Sequence, residues 1–128
     1  MLSFIAVGAG GFVGACLRYA ISKELSLAFP FFPFGTLVSN ITAGLLIGAI
    51  AGYERQAPFL AEPGKAFAVT GVLGGLSTFS AFSLETATML DRGAWGQALL
   101  NASLNMGMSL MCVGAGMWFA KLLGSRMS

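Results

Sequence analysis

The chain has 128 residues, of which 56% are hydrophobic and 9% charged, with a formal net charge of +2. Water-soluble domains typically carry about 25% charged residues, so this composition belongs to an integral membrane protein, with room for roughly four spans and no soluble domain. The small net charge and the absence of a basic cluster exclude nucleic acid as a partner, and with no His and only Cys16 and Cys112 the usual His or Cys metal cage cannot be built.

The first predicted span covers residues 2–21. No Lys or Arg precedes it, so it reads as a span and not as a secretory leader. Ala6, Gly10, Gly14 and Arg18 recur every fourth residue on one helical face, a small-residue stripe for close helix packing that ends in a guanidinium. The Gly8-x-Gly10-x-x-x-Gly14 pattern lacks dinucleotide-binding spacing and follows no strand. Lys23, Glu24, Pro30 and Pro33 mark the first loop.

The second span, 34–52, repeats the stripe as Asn40, Gly44 and Gly48, headed this time by a carboxamide. An Asn or Arg at membrane depth faces protein or water, not lipid. A second loop holds Glu54, Arg55, Pro58, Glu62, Pro63 and Lys65.

The third span, 65–90, is the least ordinary. As a straight helix its residues would extend roughly 39 Å, against a hydrocarbon core of about 30 Å. Gly71, Gly74 and Gly75 lie in it beside Ser77, Thr78, Ser80 and Ser83, and it ends in Glu85. A break at the Gly74-Gly75 pair and the Ser-Thr after it relieves the excess length, the hydroxyls satisfying freed backbone groups. Phe79 and Phe82 share a helical face within this hydroxyl-rich run. Two phenylalanines in a membrane helix are ordinarily filler; here their positive ring edges are placed to meet an anion.

Asp91, Arg92 and Gly93 form a tight third connection to the fourth span, 95–123, which carries Asn101, Asn105 and Ser109 at successive fourth positions. Interhelical hydrogen bonding accounts for such a stripe at about 1 kcal/mol per bond. Taken with Asn40, Ser80 and Ser83, it forms a set of neutral donors suited to an anion in a narrow path. No base stands beside the serines and no nucleotide-binding sequence is present, so an enzyme is not expected. The sequons at Asn40 and Asn101 lie inside spans, beyond a transferase.

Even numbers of spans place the N-terminus, second loop and C-terminus on one side, with Arg55, Lys65, Lys121 and Arg126; Arg18, Lys23 and Arg92 belong to the other. So even a division selects no single orientation, and insertion both ways with antiparallel pairing follows as an expectation.

Residues 10–19 (Gly-Gly-Phe-Val-Gly-Ala-Cys-Leu-Arg-Tyr), 34–44 and 71–85 resemble, in order and spacing, the signature stretches of the Fluc (CrcB) fluoride-channel family. The resemblance runs through nearly the whole chain. It implies an all-α integral membrane protein of four transmembrane helices forming one domain over residues 1–128, its third helix broken at the centre, assembled as an antiparallel dual-topology homodimer in the lipid bilayer of the bacterial plasma (inner) membrane. Two passive paths for the fluoride ion are implied, lined by Asn40, Phe79, Ser80, Phe82, Ser83 and Ser109, with Arg18 and Glu85 near the approaches or structural. A structural Na+ on the two-fold axis, held by the backbone carbonyls of Gly74 and Ser77, is implied as well. Ala81 departs from the Thr that is common at its position in the family, which removes one hydroxyl. The competing expectation is a small multidrug-type proton-coupled cation antiporter, whose chemistry requires a carboxylate, ideally in the first span; residues 2–21 have none.

Overall fold

The computed structural model describes residues 1–54 and 61–124, so expectations placed on Arg55, Pro58 and Arg126 fall outside the described residues. Among the described residues all regular structure is helical: α1 (Leu2–Ala28), α2 (Phe34–Glu54), a π-helical stretch (Ala66–Leu73) running into the single turn α3 (Gly74–Leu76), α4 (Phe79–Asp91) and α5 (Trp95–Gly124). These make four helical spans long and apolar enough to cross a membrane, the third being Ala66–Asp91. No more than 39% of the most apolar window of any span is buried within the chain. Large side chains such as Phe4, Phe12, Leu84 and Trp95 remain exposed. In water that surface would be prohibitive, at roughly 25 cal/mol per Å² of apolar area, whereas lipid solvates it.

α1 is longer than the sequence pattern suggests, since Lys23 and Glu24 occupy its last turns and not the loop. The helix continues until something physical stops it. That stop is Pro30, which drives Phe29 out of helical geometry (φ −136°, ψ 73°). The turn that follows is filled by a cluster of rings from Phe29, Phe31, Phe32 and Phe34, in edge or tilted contacts with centroids 4.9–6.2 Å apart. Pro33 O then accepts Leu37 N–H and opens α2.

The third span breaks one turn later than the glycines suggest. Gly74 and Gly75 are helical, and the extended residues are Ser77 (ψ 149°) and Thr78 (φ −151°, ψ 119°). Thr78 caps α4, its Oγ1 accepting Ala81 N–H at 3.2 Å, as a threonine at a helix N-terminus commonly does. Gly75 serves packing instead: a Cβ there would lie 2.7 Å from Gly11 O. At the far end, Gly93 takes φ +73°, and the N–H groups of Gly93 and Ala94 close the α4 terminus on Leu90 O and Met89 O.

Small residues set the helix pairing, and the order of their contacts gives its direction. Gly10 abuts Phe67 and Gly71, and Gly14 abuts Val72 and Leu76, so α1 and the first half of the third span run parallel. Gly44, Gly48 and Gly52 likewise meet Ser109, Val113 and Met117 in ascending order, which makes α2 and α5 parallel. Gly35 against Ser22 joins the two pairs at the α1–α2 turn. Without a hydrophobic drive between helices in lipid, such backbone proximity is what holds them. A Lys65–Glu54 ion pair of 2.8 Å bridges the end of α2 to the start of the third span. Hydrogen bonding to the carboxylate raises the Lys65 ammonium above its ordinary pKa, but with Lys65 45% exposed the pair adds little stability.

Candidate functional site

Breaking a helix at membrane depth frees backbone groups that lipid cannot satisfy. At Thr78 a side-chain amide does so: Asn40 Oδ1 accepts Thr78 N–H at 2.8 Å and Asn40 Nδ2 donates to Thr78 O at 3.3 Å. The Asn40 side chain thus pairs with the extended backbone much as a neighbouring strand would. Its second N–H goes to Asn105 Oδ1 at 2.9 Å. Asn105 Nδ2 donates in turn to Asn101 Oδ1 and O, and Asn101 Nδ2 to Thr86 Oγ1, each within 3.1 Å. Thr86 Oγ1 donates its own hydrogen to Phe82 O at 2.8 Å.

The ladder therefore has a polarity. Thr86 has only lone pairs left for Asn101, so each amide up the chain donates toward α4, and Asn40 is left with its oxygen facing Thr78 N–H. Asn101 is fully buried and Asn105 is 4% exposed, which gives these bonds little competition from solvent.

Beside the break lies an open cleft of about 450 Å³. Of the residues expected at the site, it gathers Asn40, Gly74, Ser77, Phe79, Phe82 and Ser109, and among the described residues no ionisable side chain lines it. The Phe79 and Phe82 rings meet edge to face, centroids 5.3 Å apart at 62°. Phe82 is buried and Phe79 is 75% exposed, so one ring is fixed in the wall while the other stands at the open side. Ser109 Oγ is buried without a hydrogen-bond partner, a hydroxyl with donor capacity unspent.

Ser80 and Ser83 are not among the residues lining the cleft. Ser80 Oγ meets Thr78 Oγ1 at 3.2 Å, and Ser83 Oγ donates back to Phe79 O at 2.8 Å. Arg18 braces the third span, its Nε donating to Gly75 O at 3.2 Å. Glu85 lies apart from the cleft: Oε1 accepts Thr36 Oγ1–H, while Oε2 is buried and has no partner.

The break also alters the carbonyls before it. Gly74 O and Ser77 O lose their helical donors four residues on, because Thr78 N–H is held by Asn40 and Ala81 N–H by Thr78 Oγ1. Both residues are exposed.

Thr36 and Thr86 were not legible as site residues. Thr36 had a signal, since it extends the Asn40, Gly44, Gly48 stripe by one turn; Thr86 had none beyond its place four residues after Phe82. Ser39 is fully buried in α2 with Oγ unpartnered. Removing an unsatisfied hydroxyl costs nothing in hydrogen bonding, so Ser39→Ala is expected to leave the thermal unfolding temperature in detergent unchanged or raised. A clear fall would mean that the hydroxyl has a partner.

Residues 5–117 match the family model described as CrcB-like protein, Camphor Resistance (CrcB). The chain is 43% identical over 124 residues to a protein of Clostridium perfringens strain 13, covering 96% of this chain and 97% of the relative. It is 44% identical over 120 residues to one from Sulfurovum sp. NBC37-1, covering 93% and 94%, and 39% identical over 123 residues to one from Thiobacillus denitrificans, covering 96% and 99%. All three relatives are named fluoride-specific ion channel FluC. Matches of this extent make the chain a member of the CrcB family.

Proposed function

We propose that this CrcB-family protein is a fluoride-selective passive channel of the bacterial plasma (inner) membrane that lets fluoride leave the cytoplasm down its gradient. The observation that carries the reading is the buried, unpartnered hydroxyl of Ser109, a residue that lines the cleft together with the Phe79–Phe82 pair; among the described residues no charged side chain lines that cleft. Fluoride holds its water strongly. A conducting site must return most of that stabilisation through donor contacts while remaining shallow enough to release the ion. Hydroxyl donors and ring edges in series meet both demands; a buried ammonium or guanidinium would trap the anion. Under this reading the Ser80 hydroxyl continues the path beyond the cleft, Ser83 joins it by turning its hydrogen from Phe79 O, and Asn40 holds the break in shape, since both of its amide hydrogens are engaged.

The functional unit is an antiparallel homodimer with two fluoride paths. The cleft is open and Phe79 in its lining is exposed, and a second, inverted copy would supply the wall that it lacks. The near-even division of Lys and Arg fits insertion in both orientations. Gly74 O and Ser77 O, deprived of helical donors at exposed positions, suit a hard monovalent cation such as Na+; two carbonyls from each of two copies would make four oxygens. Bound there, Na+ would place positive charge beside the anion paths.

Fluoride efflux from reconstituted liposomes, with and without a proton gradient, tests the reading. Efflux independent of the gradient is expected, and no efflux beyond empty liposomes would overturn it. No observation favours a proton-coupled cation antiporter. Ala81→Thr, which supplies a hydroxyl next to Ser80, is expected to raise fluoride flux severalfold in the same assay; unchanged flux would take position 81 off the path.

A further inference from the structure

At the other end of α4 from the cleft is a second cavity, of about 480 Å³, walled by the Phe29–Pro33 turn and by the α4–α5 connection. Its polar lining is Ser26, Glu85, Thr88, Arg92 and Gln97. Among the described residues Arg92 is its only cation, is exposed, and has no ion pair to neutralise it. Glu85, seven residues earlier on α4, is the only acid in the lining among the described residues; its carboxylate is turned inward, Oε1 accepting the Thr36 hydroxyl and Oε2 buried, whereas the Arg92 guanidinium is on the exposed side. Apolar side chains, three phenylalanines and two prolines among them, wall the rest. Low-dielectric walls of this kind concentrate the field of a single charge into the opening between them.

We infer that this basin is an anion-gathering mouth and that Arg92 is the residue that draws small anions into it before they travel toward the cleft. The inference rests on the channel reading above and adds a site and a role to it. Arg92 offers five N–H donors on a cation that never deprotonates, at a position that water reaches, so an anion is attracted without being held. The contribution is to encounter rate and not to the depth of any site within the membrane.

The test is fluoride flux through liposomes bearing wild type, Arg92→Gln or Arg92→Lys, measured at ionic strength near 0.01 M and again with about 1 M inert salt, where the screening length falls from roughly 30 Å to 3 Å. At low ionic strength the Gln variant is expected to conduct about fivefold less than wild type. Added salt should bring the two together, and the Lys variant should follow wild type throughout. Equal low-salt flux for wild type and Arg92→Gln would overturn the inference. So would a deficit of the same size at both ionic strengths, because a structural defect is not screened. If wild type itself carried no fluoride, the channel reading would fail and the role of Arg92 with it.

Discussion

Asn40→Leu is expected to lower fluoride flux by more than tenfold and to lower the unfolding temperature in detergent by several degrees. Leucine keeps the branched shape and heavy-atom count of asparagine and is the larger residue, so no cavity forms. It strands two groups instead, Thr78 N–H and Asn105 Oδ1, and takes one donor from Thr78 O, which as the cap carbonyl still opens the α4 ladder. An unsatisfied buried polar group costs about 1–3 kcal/mol, and the cleft beside Thr78 gives water partial access, so roughly 3 kcal/mol is the expected total. The functional loss should exceed the loss of stability. Without its amide clamp the extended Ser77–Thr78 backbone has no partner holding it, and both the α4 cap and the orientation of Phe79 depend on that segment. Flux at the wild-type rate in a folded Asn40→Leu protein would show that the break holds its shape without the clamp. A double-mutant cycle with Asn105→Leu should return a coupling near 1 kcal/mol, the scale of interhelical hydrogen bonds in membranes.

Gly14→Ala should be strongly disruptive, Gly14 having one of the tightest backbone approaches among the described glycines. The new Cβ would sit 2.1 Å from Val72 O and 2.8 Å from Leu76 N, both backbone atoms that cannot rotate away. Alanine gains about 1 kcal/mol of helix propensity over glycine, while overpacking at a contact of this closeness costs about 3 kcal/mol or more, so the clash wins. Relief requires α1 to move off the third span. That movement would draw Arg18, one turn further along, away from Gly75 O. Gly8→Ala is the control on the same helix, with nothing within 4 Å of its Cβ; it should be neutral or stabilising. Comparable losses for both variants, read by thermal unfolding and by flux, would refute packing as the reason for the stripe.

Membrane class, the number of spans, the small-residue stripes and the family were all legible in the sequence, because each depends on composition or on a fixed helical period. So was the presence of a break in the third span, since a 26-residue apolar stretch rich in glycine and hydroxyls has little reason to remain one straight helix. Its position was legible to within a turn: of the Gly74-Gly75 pair and the Ser-Thr after it, the break falls on Ser77 and Thr78 and not on the glycines. Glycine weakens a helix, yet Gly75 is kept helical by α1 packed against it, and the chain opens where Thr78 can cap α4 and Asn40 can pair with its backbone. Both conditions involve residues far apart in sequence. The same holds for the ends of α1, where hydropathy marks the lipid-crossing length but Pro30 determines where the helix stops.

The sequence reading brought Asn40, Phe79, Ser80, Phe82, Ser83, Asn101, Asn105 and Ser109 together as one group of neutral donors and rings. Tertiary structure divided that group. Asn40, Phe79, Phe82 and Ser109 share a cleft, Ser80 and Ser83 turn to their own backbone or a neighbouring hydroxyl, and Arg18 and Glu85 lie elsewhere. Residue type fixes what a side chain can donate or accept. Whether that capacity is already spent, as in Asn40, or remains open, as in the buried Ser109 hydroxyl, depends on which helix packs opposite, and that is decided only when the chain folds.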